Sequence, residues 1–167
     1  MNGTTGDQIR QKFRTLWIIW GAILGSLLIY VLVCNVLGEV VRPGSASFSF
    51  LPTLRNIFYI LAVLHLFLAF FLRKIMVSGE KAALSSGIPR EKPGKKEQRV
   101  LAKYFSAVII TLALSESIAI FGLVLFMLGD SLQNFYFFTV VSALAILYHR
   151  PKAEEIEQLL PGKKLNA

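Results

Sequence analysis

The sequence predicts an all-α integral membrane bundle of four transmembrane helices, arranged as two antiparallel hairpins and followed by a short cytoplasmic C-terminal helix. Two observations carry this expectation. The chain of 167 residues is 54% hydrophobic and only 17% charged, and its mean hydropathy is +0.59. A soluble domain has about a quarter of its residues charged. The charges are also segregated. Of 18 Lys and Arg and 10 Asp and Glu, the stretches 16–37, 51–72, 104–128 and 132–148 hold only Arg55 and Glu116. Such a partition is expected when lipid is the solvent for half the chain. It excludes a soluble enzyme with its own core and a disordered tail protein. With Cys34 as the single cysteine, it also excludes a disulfide scaffold.

A helix needs roughly 20 apolar residues to cross a hydrocarbon layer about 30 Å thick. The first segment, 16–37, meets this outright and follows Arg10, Lys12 and Arg14. It is about twice the length of a signal-peptide core, and no A-x-A site follows at once, so an uncleaved anchor is expected. Pro43-Gly44 marks a turn in the next connection. The second segment, 51–72, spans if Arg55 snorkels to the headgroups. A polar loop containing SSGIPREKPGKK follows, with Gly and Pro as punctuation. From Lys95 onward no breaker interrupts the chain, so the third helix can start ahead of its apolar stretch, 104–128. Only Gly129, Asp130 and Ser131 separate that stretch from the fourth, which requires an antiparallel hairpin. The fourth, 132–148, is short and opens on Gln133 and Asn134. Residues 1–150 are read as one transmembrane domain and 151–167 as a tail. Pro151, Glu154 and Glu155 suit the start of a short helix that Pro161-Gly162 stops.

With four spans, every Lys and Arg except Arg42 and Arg55 falls on one side. That side should be the cytoplasm of a bacterial-type inner membrane, with both termini inside. Trp17, Trp20, Tyr104 and Tyr148 lie near the same helix ends, where amphipathic rings prefer to sit. The net charge of +8 is therefore a topology signal, and no nucleic-acid surface is expected. Lys92, Lys95, Lys96, Arg99 and Lys103 are candidates for contact with anionic headgroups, which attract juxtamembrane basic residues.

Glu116 is the most informative residue. It is the central position of 104–128. A carboxylate at the bilayer midplane costs about 2.5–3.5 kcal/mol on insertion scales. Such a group must be protonated, paired or facing water. The functional reading is a carboxyl that binds and releases a proton; the structural reading is a Glu that locks helices together. His65 lies at similar depth in the second span, and a Glu116–His65 relay is one expectation, a neutral His serving as interhelical glue the other. One carboxylate and one imidazole do not make a metal site. Thr111, Ser115 and Gly122, with Ala113, Ser117 and Ala119 beside Glu116, give helix three a small-residue side for close packing. Gly21-x-x-x-Gly25 is a second candidate contact. Ser26, Asn35, Thr139 and Ser142 are read as further interhelical glue. No Walker-type loop, nucleophile elbow or carboxylate pair is present, so neither an enzyme nor a cofactor is expected.

The run ALSESIAIFGLVLFML, Ala113 to Leu128, resembles the outer helix of the rotary ATP synthase subunit c. Glu116 matches that family's ion-binding carboxylate, and Ile120-Phe121-Gly122-Leu123-Val124 matches the pattern after it. A basic, proline-containing loop precedes the helix, which is also similar. The resemblance implies a proton carried on Glu116. Of the groups that sodium-binding members place after the carboxylate, Ser117 fits, whereas Ile118 and Phe121 do not. Two function classes follow from these residues. One is a proton-handling membrane protein built on Glu116, His65 and Ser117. The other is a non-catalytic accessory or assembly subunit, associating with itself or with other membrane subunits in the bilayer.

Overall fold

A computed structural model describes residues 3–40, 49–85, 93–152 and 155. Four helices account for almost all of them: α1 (Gly3–Val40), α2 (Leu51–Ser85), α3 (Pro93–Met127) and α4 (Leu132–Tyr148). No strand occurs among the described residues. Three stretches, Arg10–Val36, Leu51–Ile75 and Leu101–Met127, are long and apolar enough to cross a membrane. At 17 residues, α4 is about 25 Å long at 1.5 Å per residue, short of a full hydrocarbon layer. It packs on α3 through buried Phe135, Phe138 and Ser142, while Phe137, Val140 and Leu144 stay exposed on its other side.

The first three helices outrun their apolar stretches. α2 continues to Ser85 and α3 begins at Pro93. Hydropathy marks the lipid-facing band, whereas helix propensity carries the backbone on through residues such as Glu80, Lys81, Ala82, Ala83 and Leu84. The expected tail helix lies outside the described residues except for Pro151, Lys152 and Glu155. So does most of the connection after α1, at 41–48.

The contacts give the directions of the helices. Phe126 meets Phe135, Gly122 faces Phe138, and Ser142 Oγ donates to Ser115 O at 2.7 Å. Residue numbers rise on one helix as they fall on the other, so α3 and α4 are antiparallel. Between them Gly129 takes φ 94°, the left-handed region that glycine reaches without a Cβ clash. Ser131 then caps α4 by accepting from Asn134 N. α2 runs antiparallel to α3 as well: Phe58 stacks on Phe121 at 5.1 Å, and Arg55 sits 3.7 Å from Asp130. α1 is antiparallel to α4, since Trp20 Nε1 donates to Ile146 O and Tyr136 OH to Asn35 Oδ1.

α3 is the central element, packed on all three other helices. The core divides accordingly. Leu16 and Leu27 of α1 meet Leu101, Tyr104, Val108, Leu112 and Ala119 of α3 and Ile146 of α4. Ala62 of α2 meets Ile118, Leu125 and Phe138. Cys34 packs with Phe126 and Phe135. The outer faces of α1 and α2 present Leu28, Leu32, Ile60, Val63 and Phe67, each at least half exposed. In water such faces would cause aggregation; in lipid they are the solvated surface.

The small-residue side of α3 faces α4, with Thr111, Ser115 and Gly122 all buried. The Gly21/Gly25 expectation is corrected: a Cβ at either position would meet nothing within 4 Å. α1 packs through Leu16, Leu27 and Cys34 instead, on a different face of the helix.

Candidate functional site

Glu116 is reached from α1. Ser26 Oγ donates to Glu116 Oε1 at 2.6 Å, and Tyr30 OH donates to the same oxygen at 3.0 Å. Helical spacing explains this. Leu112 and Ala119, four before and three after Glu116, belong to the cluster that packs on α1, so Glu116 shares their face. Ser26 and Tyr30 are four apart and therefore lie one above the other on α1.

Ser26 Oγ is also 2.7 Å from Ile23 O. A hydroxyl has one hydrogen and two acceptor lone pairs, so this geometry serves either state of the carboxyl. Ionised Glu116 accepts from Ser26 and Tyr30 together. Protonated Glu116 can donate to Ser26 Oγ, which then turns its own hydrogen to Ile23 O. Both oxygens of the carboxyl are accounted for. Among the described residues no buried side-chain oxygen or nitrogen lacks a hydrogen-bond partner. Oε2 takes none, so it reaches the surface of the bundle. Neither ion pair among the described residues, Arg55–Asp130 or Arg73–Glu155, involves Glu116.

His65 is not brought to Glu116. Its Nδ1 is 2.8 Å from Leu61 O, one turn back on α2, and its ring meets Phe121 edge-on at 5.2 Å. The expected relay rests on equal depth and on α2 and α3 being neighbours in sequence, neither of which fixes the direction a side chain faces. At 100° per residue, Phe121 lies about 140° around α3 from Glu116, so α2 and the carboxyl occupy different sides of the central helix. Ser117 Oγ likewise turns back to Leu114 O at 2.8 Å. The hydroxyls on Glu116 come from Ser26 and Tyr30. Ser26 thus ties α1 to α3, as its place in the span suggests, whereas no motif in the sequence points to Tyr30. Two polar side chains at a spacing of four inside an apolar stretch were the available signal.

Of the candidate headgroup residues, Arg99 and Lys103 are exposed on α3. Lys92 and the side chains of Lys95 and Lys96 lie outside the described residues. No group of His, Cys, Asp or Glu among the described residues could hold a metal ion.

Two polar clusters went unread in the sequence. At the end of the bundle holding the α3–α4 turn, buried Asp130 accepts from Ser131 N at 2.8 Å and from Asn134 Nδ2 at 3.0 and 2.9 Å. Tyr59 OH of α2 donates to Asn134 Oδ1 at 3.1 Å. At the opposite, basic end, Arg73 is joined to Glu155 and to buried His149. Tyr104, expected at the interface, is 4% exposed, whereas Trp17 and Tyr148 are 41% and 62% exposed.

Comparison with family models, curated proteins and solved structures yields no match for this chain.

Proposed function

We propose that this small multi-pass membrane protein handles protons through Glu116, with Ser26 and Tyr30 as its hydrogen-bonding partners and the termini on the cytoplasmic side of a bacterial-type inner membrane. One observation carries the reading. A carboxyl in the middle of a span is held by two hydroxyls and, among the described residues, by no cation, and one of those hydroxyls can reverse its direction as the carboxyl gains or loses a proton. A Glu that served only to lock helices would need no such freedom. The local resemblance to the subunit c outer helix points the same way, with Glu116 as the carrier. His65 belongs to another side of α3 and is left out of the pathway.

The test is proton flux into liposomes holding the purified protein, driven by a potassium diffusion potential and read with a pH-sensitive dye. Glu116→Gln keeps an oxygen that can accept from Ser26 and Tyr30, so it should insert and fold while its flux drops to that of empty liposomes. Equal flux in Glu116→Gln and wild type would sink the proposal.

A second reading is an accessory subunit of a membrane complex. It is favoured by the open space in front of Gly21 and Gly25, beside exposed Ile18 and Leu28, where another helix could approach closely. A stoichiometric partner retained in mild detergent, and lost with Gly21→Leu, would select it.

A further inference from the structure

The basic end of the bundle holds a charged cluster that is independent of the Glu116 site. Arg73 ends the apolar stretch of α2, and its side chain is 12% exposed. Its Nη2 lies 2.9 and 3.0 Å from the two oxygens of Glu155 and 3.3 Å from Arg150 O. Its Nη1 donates to His149 Nδ1 at 3.3 Å. A guanidinium has only donors, so that nitrogen of His149 must be unprotonated, and the imidazole brings no charge to the cluster. Tyr104 of α3 completes it: its hydroxyl lies 3.3 Å from both the nitrogen and the carbonyl oxygen of Lys152. The structure thus shows a carboxylate seated by both oxygens on a nearly buried guanidinium, with the chain beside it tied to α3.

We propose that this cluster is a binding site for the phosphodiester oxyanion of an anionic lipid, which the chain's own Glu155 occupies until a lipid replaces it. Three observations support the exchange. A phosphodiester offers the same pair of oxygens to Arg73 as the carboxylate does, and arginine suits both; phosphatidylcholine carries that group too, but its choline cation is repelled by exposed Lys74, Arg150 and Lys152, so a lipid with net negative charge is selected. Arg73 lies in the last turn of a stretch long enough to cross the membrane, Leu51–Ile75, which puts the site at headgroup depth, and exposed Trp17 and Tyr148 mark that level. Finally, Arg73 cannot be left bare. A nearly buried guanidinium without an anion is strongly unfavourable, so Glu155 leaves only as another oxyanion arrives. Exposed Lys74, Arg150 and Lys152, sequence neighbours of the cluster, draw it towards an anionic surface. The exchange frees Glu155 from α2 and loosens Lys152 from Tyr104.

Trypsin reads this directly, because the bond after Lys152 is a cleavage site whose carbonyl accepts from Tyr104. The full chain is placed in nanodiscs of phosphatidylcholine alone or of phosphatidylcholine with phosphatidylglycerol, and cleavage after Lys152 is timed by mass spectrometry. Each rate is divided by that of Glu155→Gln in the same disc, which cancels any attraction of the protease to the lipid. In phosphatidylcholine, wild type should be cut about two- to fivefold more slowly than Glu155→Gln. In phosphatidylglycerol discs the two rates should converge. Inorganic phosphate added to phosphatidylcholine discs should leave the ratio unchanged. Tyr104→Phe, which keeps every charge, should be cut faster in both discs yet retain the lipid dependence. A wild-type ratio indifferent to phosphatidylglycerol overturns the proposal. So does convergence with free phosphate alone, which would assign the site to a soluble anion. Equal cutting of wild type and Glu155→Gln in phosphatidylcholine also overturns it, because Glu155 would then hold nothing.

Discussion

Replacing Gly122 by alanine should pry α3 from α4. A Cβ at that position would stand 2.7 Å from Phe138 Cβ and 3.3 Å from Phe135 O and Phe138 Cγ. Non-bonded carbons rest at about 3.5–4.0 Å, so the helices must part by close to an ångström or Phe138 must be displaced. Phe138 Cβ is fixed to its backbone and cannot swing aside, and the residue is fully buried. Overpacking of this kind costs about 1–3 kcal/mol. At roughly 2–4 °C per kcal/mol for a chain of this size, the Tm should fall by roughly 2–12 °C. The assay is thermal unfolding in mild detergent followed by circular dichroism. Gly21→Ala and Gly25→Ala are the internal comparison. Neither new methyl meets anything within 4 Å, and alanine is the better helix former by about 0.5–1 kcal/mol, so their Tm should hold or rise. Gly122→Ala melting with wild type, or Gly21→Ala melting as early as Gly122→Ala, would refute the packing argument.

At the turn end, Asp130→Ala strands Ser131 N and Asn134 Nδ2 and should cost about 1–3 kcal/mol. Arg55→Gln should cost at most about 1 kcal/mol, because that side chain is 40% exposed and 3.7 Å from its partner; thermal unfolding of the two variants ranks them. At the basic end, burial first and the Arg73 guanidinium second push His149 from its ordinary 6.5 down to about 4, with Glu155 opposing. The unfolded chain therefore takes up a proton below pH 6.5 that the folded chain refuses until about 4. Stability is then full above that window and falls as pH drops through it; His149→Asn should flatten the slope in a pH series of melting curves. In the span, Tyr30→Phe removes one of two donors to Glu116 and should cost about 0.6 kcal/mol, at most about 1.7. Glu116→Leu, which removes the acceptor of both, should melt earlier than Glu116→Gln.

The number and type of helices were legible because lipid imposes a one-dimensional rule: apolar stretches of sufficient length, with charge kept outside. The short link at 129–131 dictated the α3–α4 hairpin. Glu116 stood out for the same reason, as a charge where the rule forbids one. Its partners did not, because depth can be read along a chain while the facing direction cannot. His65 and Glu116 share a depth but lie on different sides of α3, and Ser117, though adjacent, bonds its own helix. Finding Ser26 and Tyr30 required knowing that α1 packs against the face of Leu112 and Ala119. Arg73 and Glu155 are 82 residues apart, and no local pattern joins them. Gly21-x-x-x-Gly25 misled because the motif records that close approach is permitted; within a single chain it does not record that a neighbour is there.

The most direct test of the central claim is the chemistry of Glu116 itself. A hydrophobic carbodiimide reacts with protonated carboxyls in apolar surroundings. The purified protein would be labelled with and without sodium, and the modified residue located by mass spectrometry. Glu116 should be labelled, and sodium should not protect it. A Glu116 that never reacts is paired or packed away, and that result would contradict a proton-carrying role and leave the carboxyl a structural tie between α1 and α3. Protection by sodium would contradict the choice of proton.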